Sequence, residues 1–479
     1  MAQSVCFRFL AVGLWLVAIG GAQEKPRGVE ETQLQQVKAE LAGLEAKAKN
    51  GDLAAAHELA NRLINLRKPK LALAFYRQAA EGGVLAAQER LGLLLLNSSE
   101  RAAWAEGHSW LDKAAQRGSV RALEEQARII LFGSHGREKS VAKAEVILKR
   151  ASKMPGAKES HFLLGKMAAE GIGRERDGAQ AVAHLRKGEA AGSIDAILGL
   201  VELYAGGGLV EKDVAEAQRL AKKAYSLGSA EGAYRTALFL EPKGEGGERW
   251  MECRGWLANA ANKGHVGALA RLGTYALQGL GEEKNPGRAY EFYRQAAGRG
   301  HADSAYAIAN MYVQGLGVPN DPVAATGWFR VAAERGQAQA QNEFGVRLAA
   351  GSGVPSDLQE AASWFQRACR QNLPAAFVNL GELYLAGNGV GKDEGRGYQL
   401  LESAAKVGHA GAQWRLASLC EQGIGLGGKA DPVGAAYWAA RAARADARYA
   451  EGAAKLRDAL QDVQLGELQR RLAAVDGKE

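Results

Sequence analysis

The sequence predicts an all-α solenoid built from about eleven helix pairs. Three observations support this prediction: a boundary residue recurs at a fixed spacing, apolar and small residues share one helical face, and turn glycines precede helix-capping residues. The composition agrees, because 61 of 479 residues are glycine, only 10 are proline and 47% are hydrophobic. Collagen-like chains need more proline and disordered chains have fewer apolar residues, so the composition excludes both classes.

The repeat boundary is a glycine, or a substitute such as Asn372, that closes an Ala-Ala-x-x-Gly pattern. From Gly156 to Gly408 this residue recurs every 36 positions over seven consecutive intervals. Positions within a unit are counted from it as +1, +2 and onward. The predicted solenoid covers residues 51–445, with units that start near 51, 83, 118, 156, 192, 228, 264, 300, 336, 372 and 408.

The first helix of each unit, helix A, is predicted from the residues at +8, +9 and +12, which lie on one helical face. In one unit these are Ile308, Ala309 and Tyr312, and a small residue recurs at +9 along the array. Glycines at +15 and +17, here Gly315 and Gly317, end helix A and allow a turn with positive φ. Each unit is therefore expected to begin with an amphipathic helix.

The second helix, helix B, is predicted to begin after an Asp or Asn at +21, whose side chain accepts the free N–H groups of the first helical turn. Proline follows in some units, as at Pro322, and suits the first position of a helix. A bulky pair and two alanines come next, as in Trp328-Phe329 and Ala332-Ala333, and we interpret these aromatic residues as core packing. The capping positions are Asp177, Asp213, Asn285, Asp321, Asp357 and Asp393.

One full unit reads Gly-His-Ala-x-Ser-Ala-x-x-Ile-Ala-x-Met-Tyr-x-x-Gly-x-Gly-Val-x-x-Asp from residue 300, followed by Gly-Trp-Phe-Arg-Val-Ala-Ala-Glu-Arg-Gly from residue 327. This unit resembles the Sel1-like repeat, a relative of the tetratricopeptide repeat. The resemblance implies a right-handed α/α superhelix that serves as a protein-binding scaffold, often in exported or lumenal proteins. Cysteine-rich members with β-lactamase-like activity carry paired cysteines in each repeat, which this chain lacks, so that activity is not expected here.

The two ends of the chain have different predicted roles from the repeats. Residues 1–22 have the pattern of a secretory signal peptide, because Arg8 precedes an apolar run that is too short to span a bilayer. An uncleaved N-terminal anchor is the alternative, and no transmembrane segment is predicted in the mature chain. Residues 23–50 are predicted to form a capping helix, and residues 446–479 to form the C-terminal capping helices. The chain is therefore expected to be periplasmic or secreted in a bacterium, and ER-lumenal or extracellular in a eukaryote.

No catalytic or cofactor-binding motif occurs in the sequence, which predicts a protein that is not an enzyme and needs no cofactor. His265, His301 and His409 all occupy +1 of separate units, so we interpret them as helix-start residues and predict no metal site. The cysteines are sparse, and we interpret Cys253, Cys369 and Cys420 as buried side chains with apolar packing.

The formal net charge of +8 is mild for a chain of this length, and no dense run of Lys and Arg occurs. Nucleic acid is therefore not a predicted partner. A protein or peptide ligand is the main prediction, and an anionic envelope polymer is compatible with the mild positive charge.

Partner binding is predicted on the helix A side chains at +6, +10 and +13, which face away from the core. The candidate residues are Phe162, Lys166, Tyr234, Tyr306, Asn310, Val313, Asn342, Glu382, Trp414 and Ser418. For the aromatic residues at +6, packing on the next unit is the alternative. The sequence thus predicts an exported, non-catalytic scaffold that binds partners in a superhelical groove to assemble a cell-envelope or lumenal complex. A component that binds or exports envelope polysaccharide is the alternative function.

Overall fold

The computed structural model describes residues 27–242 and 247–476, and the predicted signal peptide lies outside them. Within these residues all regular secondary structure is helical and no β-strand occurs. The prediction of an all-α fold is therefore confirmed. No helix in the described part of the chain is both long enough and apolar enough to cross a membrane.

The chain divides into two compact units, Met1–Asp213 and Val214–Glu479. The helices of the N-terminal unit are α1 (Arg27–Lys49), α2 (Leu53–Asn65), α3 (Pro69–Glu81), α4 (Leu85–Leu96), α5 (Ala102–Gln116), α6 (Val120–Phe132), α7 (Val141–Ala151), α8 (Lys158–Glu170), α9 (Gly178–Ala190) and α10 (Ile194–Gly206). The helices of the C-terminal unit are α11 (Val214–Ser226), α12 (Ala230–Leu240), α13 (Gly247–Asn262), α14 (Val266–Gln278), α15 (Pro286–Gly298), α16 (Ala302–Gln314), α17 (Pro322–Glu334), α18 (Ala338–Ala350), α19 (Leu358–Cys369), α20 (Pro374–Ala386), α21 (Glu394–Lys406), α22 (Ala410–Gln422), α23 (Pro432–Ala445), α24 (Ala450–Asp458) and α25 (Asp462–Asp476). A single 3-10 turn, Ala447–Tyr449, precedes α24.

Helix hairpins are the building block of both units, with an even-numbered helix A packed on the odd-numbered helix B that follows it. Helices α2–α9 form four hairpins in the N-terminal unit, and α12–α23 form six in the C-terminal unit. A small residue at +9 lets the two helices approach closely. A Cβ atom at Gly345 would lie 2.7 Å from the ring of Phe365, and one at Gly273 would lie 2.7 Å from the ring of Tyr293. The predicted pairing of small and bulky residues therefore sets the hairpin packing.

The predicted boundary residues turn the chain from helix B into the next helix A. Ten boundary glycines have φ values between +77° and +102°, and Asn372, which replaces glycine at one boundary, has a φ of 58°. Glycine enters this left-handed region at no steric cost, and asparagine enters it more easily than most other residues. The recurring glycine of the sequence pattern is thus explained by the backbone conformation of the turn.

The glycine at +17 brings the backbones of two consecutive repeats into contact. A Cβ atom at Gly317 would lie 2.5 Å from the carbonyl carbon of Pro286, the first residue of the preceding helix B. The same close approach joins Gly353 to Pro322, where the Cβ would lie 2.5 Å from the carbonyl oxygen. The turn after helix A therefore rests on the first turn of the helix B before it.

Side-chain caps begin both helices of the repeats that start at 118, 264, 300, 336 and 408. Five of the six predicted helix B caps are confirmed: a backbone N–H three residues further on donates to the side chain of Asp177, Asn285, Asp321, Asp357 and Asp393 at 2.8–3.0 Å. The predicted helix-start role of the +1 histidines is confirmed too. Backbone N–H groups donate to Nδ1 of His265, His301 and His409 at 3.0–3.1 Å.

The cysteines lie in apolar surroundings, as the sequence predicts for Cys253 and Cys420, which are both buried. Cys369 is partly buried, and burial raises the pKa of its thiol to about 12. At the C-terminal end, Leu468 of α25 packs with Val433 and Ala436 of α23 in one apolar cluster. Helix α25 therefore covers apolar surface of the last hairpin.

We expect Gly317→Ala to lower the free energy of unfolding by about 2–4 kcal/mol, because the new Cβ adds strain at positive φ and overlaps the backbone of Pro286. Urea denaturation followed by circular dichroism measures the change. Gly327→Ala in α17 is the matched control, since no atom lies within 4 Å of its Cβ position. In a helix this control should raise the free energy of unfolding by about 0.5–1 kcal/mol. Equal stability of the two variants would contradict the backbone contact.

Candidate partner-binding surface

Helix A turns one side towards helix B and the core. The residues at +3, +6, +7, +10 and +13 form a second surface of helix A, named here the A-face. All of the sequence-predicted partner-binding residues lie on the A-face, Phe162 and Lys166 in the N-terminal unit and the others in the C-terminal unit. The structure separates these residues into two rows with different surroundings.

The +6 row connects each helix A to its neighbours. The Tyr234 ring stacks on His265 of the next helix A, with 4.3 Å between ring centroids. Asn342 accepts a hydrogen bond from the side-chain amide of Asn379 at 2.8 Å. Asn342 is only 6% exposed, so its side chain serves this contact and is not accessible to a partner. The prediction of Asn342 as a partner-binding residue is therefore wrong.

The other aromatic residues at +6 also have packing partners. Trp414 stacks on Tyr449 with 5.2 Å between ring centroids, and Tyr306 lies 5.6 Å from the ring of Phe329 in helix B of its own unit. Phe162 packs, partly buried, against an apolar cluster that α6, α7 and α8 form together. Tyr234 and Trp414 therefore pack on the segment that follows them in the chain, which is the alternative that the sequence left open for the +6 aromatic residues. Their role in partner binding stays a prediction.

The +10 positions, named here the solvent row, are more accessible. The Glu382 side chain is 40% exposed and accepts hydrogen bonds from Arg415 at 2.7 and 3.1 Å. Lys166 is 38% exposed and lies 3.7 Å from Glu170. Asn310 and Ser418 are partly exposed at the same position, and Val313 at +13 is also exposed.

A row of arginines at +7 completes the A-face and was not foreseen from the sequence. Arg415 pairs with Glu382, Arg271 pairs with Glu241, and Arg235 pairs with Glu231. Hydrogen bonds from His265 and Arg235 lower the pKa of Glu231 to about 2. The signal available in the sequence was the recurrence of arginine at +7 with a glutamate at +3, +10 or +13.

The N-terminal unit carries two adjoining hollows on the A-face of α2, α4 and α6, which sequence reasoning also missed. Their volumes are about 330 and 390 Å³, and both are lined by Ile64, Tyr76, Arg90 and Arg121. The Tyr76 hydroxyl donates to the side-chain oxygen of Asn61 at 2.7 Å. Burial is the main reason that the pKa of Tyr76 is raised, and the nearby Arg90 opposes that shift. Each hollow is thus lined by the buried side chain of Tyr76 and by the exposed residues Arg90 and Arg121.

In the described ranges, no group of three or more His, Cys, Asp or Glu side chains is placed to hold a metal ion. The +1 histidines use Nδ1 as cap acceptors, and Nε2 of His265 bonds to Glu231 at 2.8 Å. These side chains therefore serve the helix starts and the contacts between helices.

Stacked helix hairpins, glycine turns and a varied solvent row define a helical repeat protein of the class that binds other proteins. The chain belongs to the Sel1 repeat family, whose repeats mediate protein–protein interaction. The family model named Sel1 repeat matches nine segments, at residues 55–84, 85–119, 158–193, 196–229, 266–301, 302–337, 338–373, 374–409 and 410–446. The two longer unmatched stretches between them contain the hairpins α6–α7 and α12–α13. The resemblance seen in the sequence is therefore confirmed.

The chain is also similar to several solved structures. The chain is 26% identical to c5321, a protective antigen of uropathogenic Escherichia coli strains displaying an SLR fold, over 90% of this chain and 92% of that one, with a TM-score of 0.55. A Sel1 repeat protein from Oxalobacter formigenes is 25% identical over 74% of this chain and 93% of that one, with a TM-score of 0.41. The immunity protein Pa5087 from Pseudomonas aeruginosa is 20% identical over 44% of this chain and 81% of that one, with a TM-score of 0.32. Among the curated proteins, none matches this sequence.

We expect Trp414→Ala to lower the free energy of unfolding by about 2 kcal/mol, because it removes a partly buried ring that stacks on Tyr449. Limited proteolysis should then cut α24 and α25 faster than in the unmodified chain. Val313→Ala, on the exposed part of α16, is the control and should change stability by less than about 0.5 kcal/mol. Unchanged stability of the Trp414 variant would show that this ring is free for a partner.

Proposed function

We propose that this protein is an exported, non-catalytic scaffold that binds protein or peptide partners on its A-face and thereby assembles a cell-envelope or lumenal complex. The observation that carries the proposal is the solvent row. In the C-terminal unit it presents Asn310, Val346, Glu382 and Ser418 from four successive A helices, at one position of the repeat. A surface of fixed geometry and varied chemistry is suited to recognising one partner among many.

The +6 and +7 contacts support this role because they hold neighbouring A helices together before a partner arrives. The Asn342–Asn379 hydrogen bond and the Arg415–Glu382 pair join helices α18, α20 and α22. A surface that is already ordered loses little conformational entropy on binding, so more of the contact energy contributes to affinity.

Export is supported by the N-terminal sequence, in which one basic residue, a short apolar run and small residues precede the first repeat. The free, buried thiols of Cys253 and Cys420 are compatible with an oxidising compartment, because buried thiols react slowly. The envelope or lumen is therefore the compartment in which we expect the partner.

We expect photo-crosslinking from the solvent row to capture a partner. A benzophenone amino acid at Asn310, Val346 or Ser418 should give one discrete protein adduct in cells of the source organism, because these side chains reach solvent on the A-face. Val323 on helix B α17 and Val407 directly after helix B α21, which are 65% and 69% exposed, are the matched controls and should give none. Mass spectrometry of the adducts identifies the partner.

Two outcomes would count against this function. Equal adducts from Val323 and Val407 would show that the A-face is not the binding surface. Adducts that survive protease digestion and disappear after glycan hydrolysis would support binding of an envelope polysaccharide instead. Fractionation of the same cells tests export, since the adducts should be found outside the cytoplasm.

A further inference from the structure

Four repeats carry arginine at +7, and three of these arginines are paired inside the chain. In the C-terminal unit Arg235, Arg271 and Arg415 each form an ion pair with a glutamate. The fourth is Arg90, which lies in α4 of the N-terminal unit and is exposed to solvent. Among the side chains that the structure describes, no carboxylate lies within ion-pair distance of Arg90, whereas nearby Arg77 and Arg121 both have one.

The repeat pattern shows why Arg90 lacks a partner. The glutamates that pair with +7 arginines come from three positions: +3 of the same unit, as Glu231, or +10 and +13 of the preceding unit, as Glu382 and Glu241. Around Arg90 each of these positions holds a neutral residue. They are Ala86, Asn61 and Ile64.

The three neutral residues all line the hollow that Arg90 also lines, which has a volume of about 390 Å³. Space is therefore open on the side of Arg90 where the other repeats place a carboxylate. Ligand pockets of this size hold a few side chains of a peptide. The surroundings of Arg90 therefore resemble those of the other +7 arginines, except that the paired glutamate is missing.

A second cation and an apolar floor complete the site. The Arg121 side chain is 54% exposed, lines both hollows, and lies 3.4 Å from Glu89. Glu89 itself lines the hollow of about 390 Å³, and it also accepts a hydrogen bond from the Ser119 hydroxyl at 2.9 Å, so its charge is shared between two donors. Leu93 and Leu94 line the adjoining hollow of about 330 Å³. An incoming carboxylate thus meets guanidinium groups beside a surface that suits apolar side chains.

We propose that the hollow around Arg90 binds an acidic peptide segment of the partner, whose aspartate or glutamate side chain takes the place of the missing internal glutamate. This inference rests on the proposed function and adds the chemistry of the partner. Guanidinium and carboxylate groups fit each other through two parallel hydrogen bonds, which gives geometric selectivity as well as attraction. The apolar floor favours a peptide over a sugar polymer, whose residues carry few apolar groups.

Fluorescence anisotropy with a labelled peptide of alternating glutamate and leucine tests the proposal on the full chain. Binding should be saturable at low ionic strength, and the same peptide with glutamine for glutamate should bind at least about tenfold more weakly. Arg90→Gln should weaken binding of the acidic peptide by a similar factor. Asn61→Glu should do so as well, because it supplies the missing carboxylate from within the chain.

Arg330→Gln on helix B α17 is the control, since this exposed arginine pairs with Glu334 and lies outside the A-face, and it should leave peptide affinity unchanged. Thermal melts of each variant confirm that the fold is kept. No binding of the acidic peptide, or binding by the Arg90 and Asn61 variants that equals binding by the unmodified chain, would overturn the inference and leave the crosslinking test of the scaffold untouched. Stronger binding of polygalacturonate, lost in Arg90→Gln, would overturn the peptide as occupant. If the A-face gives no crosslinks but the acidic peptide still binds, the result would count against the proposed scaffold function and not against the peptide site.

Discussion

A close contact between the backbones of consecutive repeats sets the geometry on which the rest of the C-terminal unit depends. At Gly317 and Gly353 the turn after helix A lies against the first residue of the preceding helix B with no room for a Cβ atom. Contacts between side chains change whenever the sequence changes, but a contact between backbones does not. The repeats can therefore differ widely at exposed positions and still stack alike, which is the property that a modular binding surface needs.

The first repeats have no glycine at +17, and a hydrogen-bond chain at the boundary provides a comparable link. Arg117 donates to the carbonyl oxygen of Gly83 at 2.6 Å and to the Gln88 side chain at 3.2 Å. In the C-terminal unit Gln371 makes the same two bonds, to Gly336 and to the side chain of Gln341, both at 2.9 Å. The two boundaries therefore share one geometry, which justifies the comparison of Arg90 with arginines at the same position elsewhere.

The helices, turns and caps were predictable from the sequence because each depends on local chemistry. The side chain of Asp357 caps the helix that starts at the next residue, and the backbone of Gly336 adopts a positive φ within its own turn. The surroundings of the A-face were less predictable, because they depend on which residue the neighbouring helix presents. Asn342 looks like a solvent-facing polar residue in its own unit, and only the position of Asn379 one repeat later explains its burial. The hollow at Arg90 was missed for the same reason, since it is defined by neutral residues on two helices.

The energetics of exposed ion pairs explain how such a site can arise in a repeat array. An exposed pair contributes only about 0.2–1 kcal/mol to stability, so the loss of one glutamate from the array has little effect on folding. The same loss leaves an arginine that is held in place by its helix and faces an open hollow. A charged hydrogen bond to a partner then replaces an internal one, and an unpaired arginine discriminates against ligands that lack a carboxylate. A structural position can thus become a binding position through one neutral substitution in the preceding repeat, while every contact that defines the solenoid is kept.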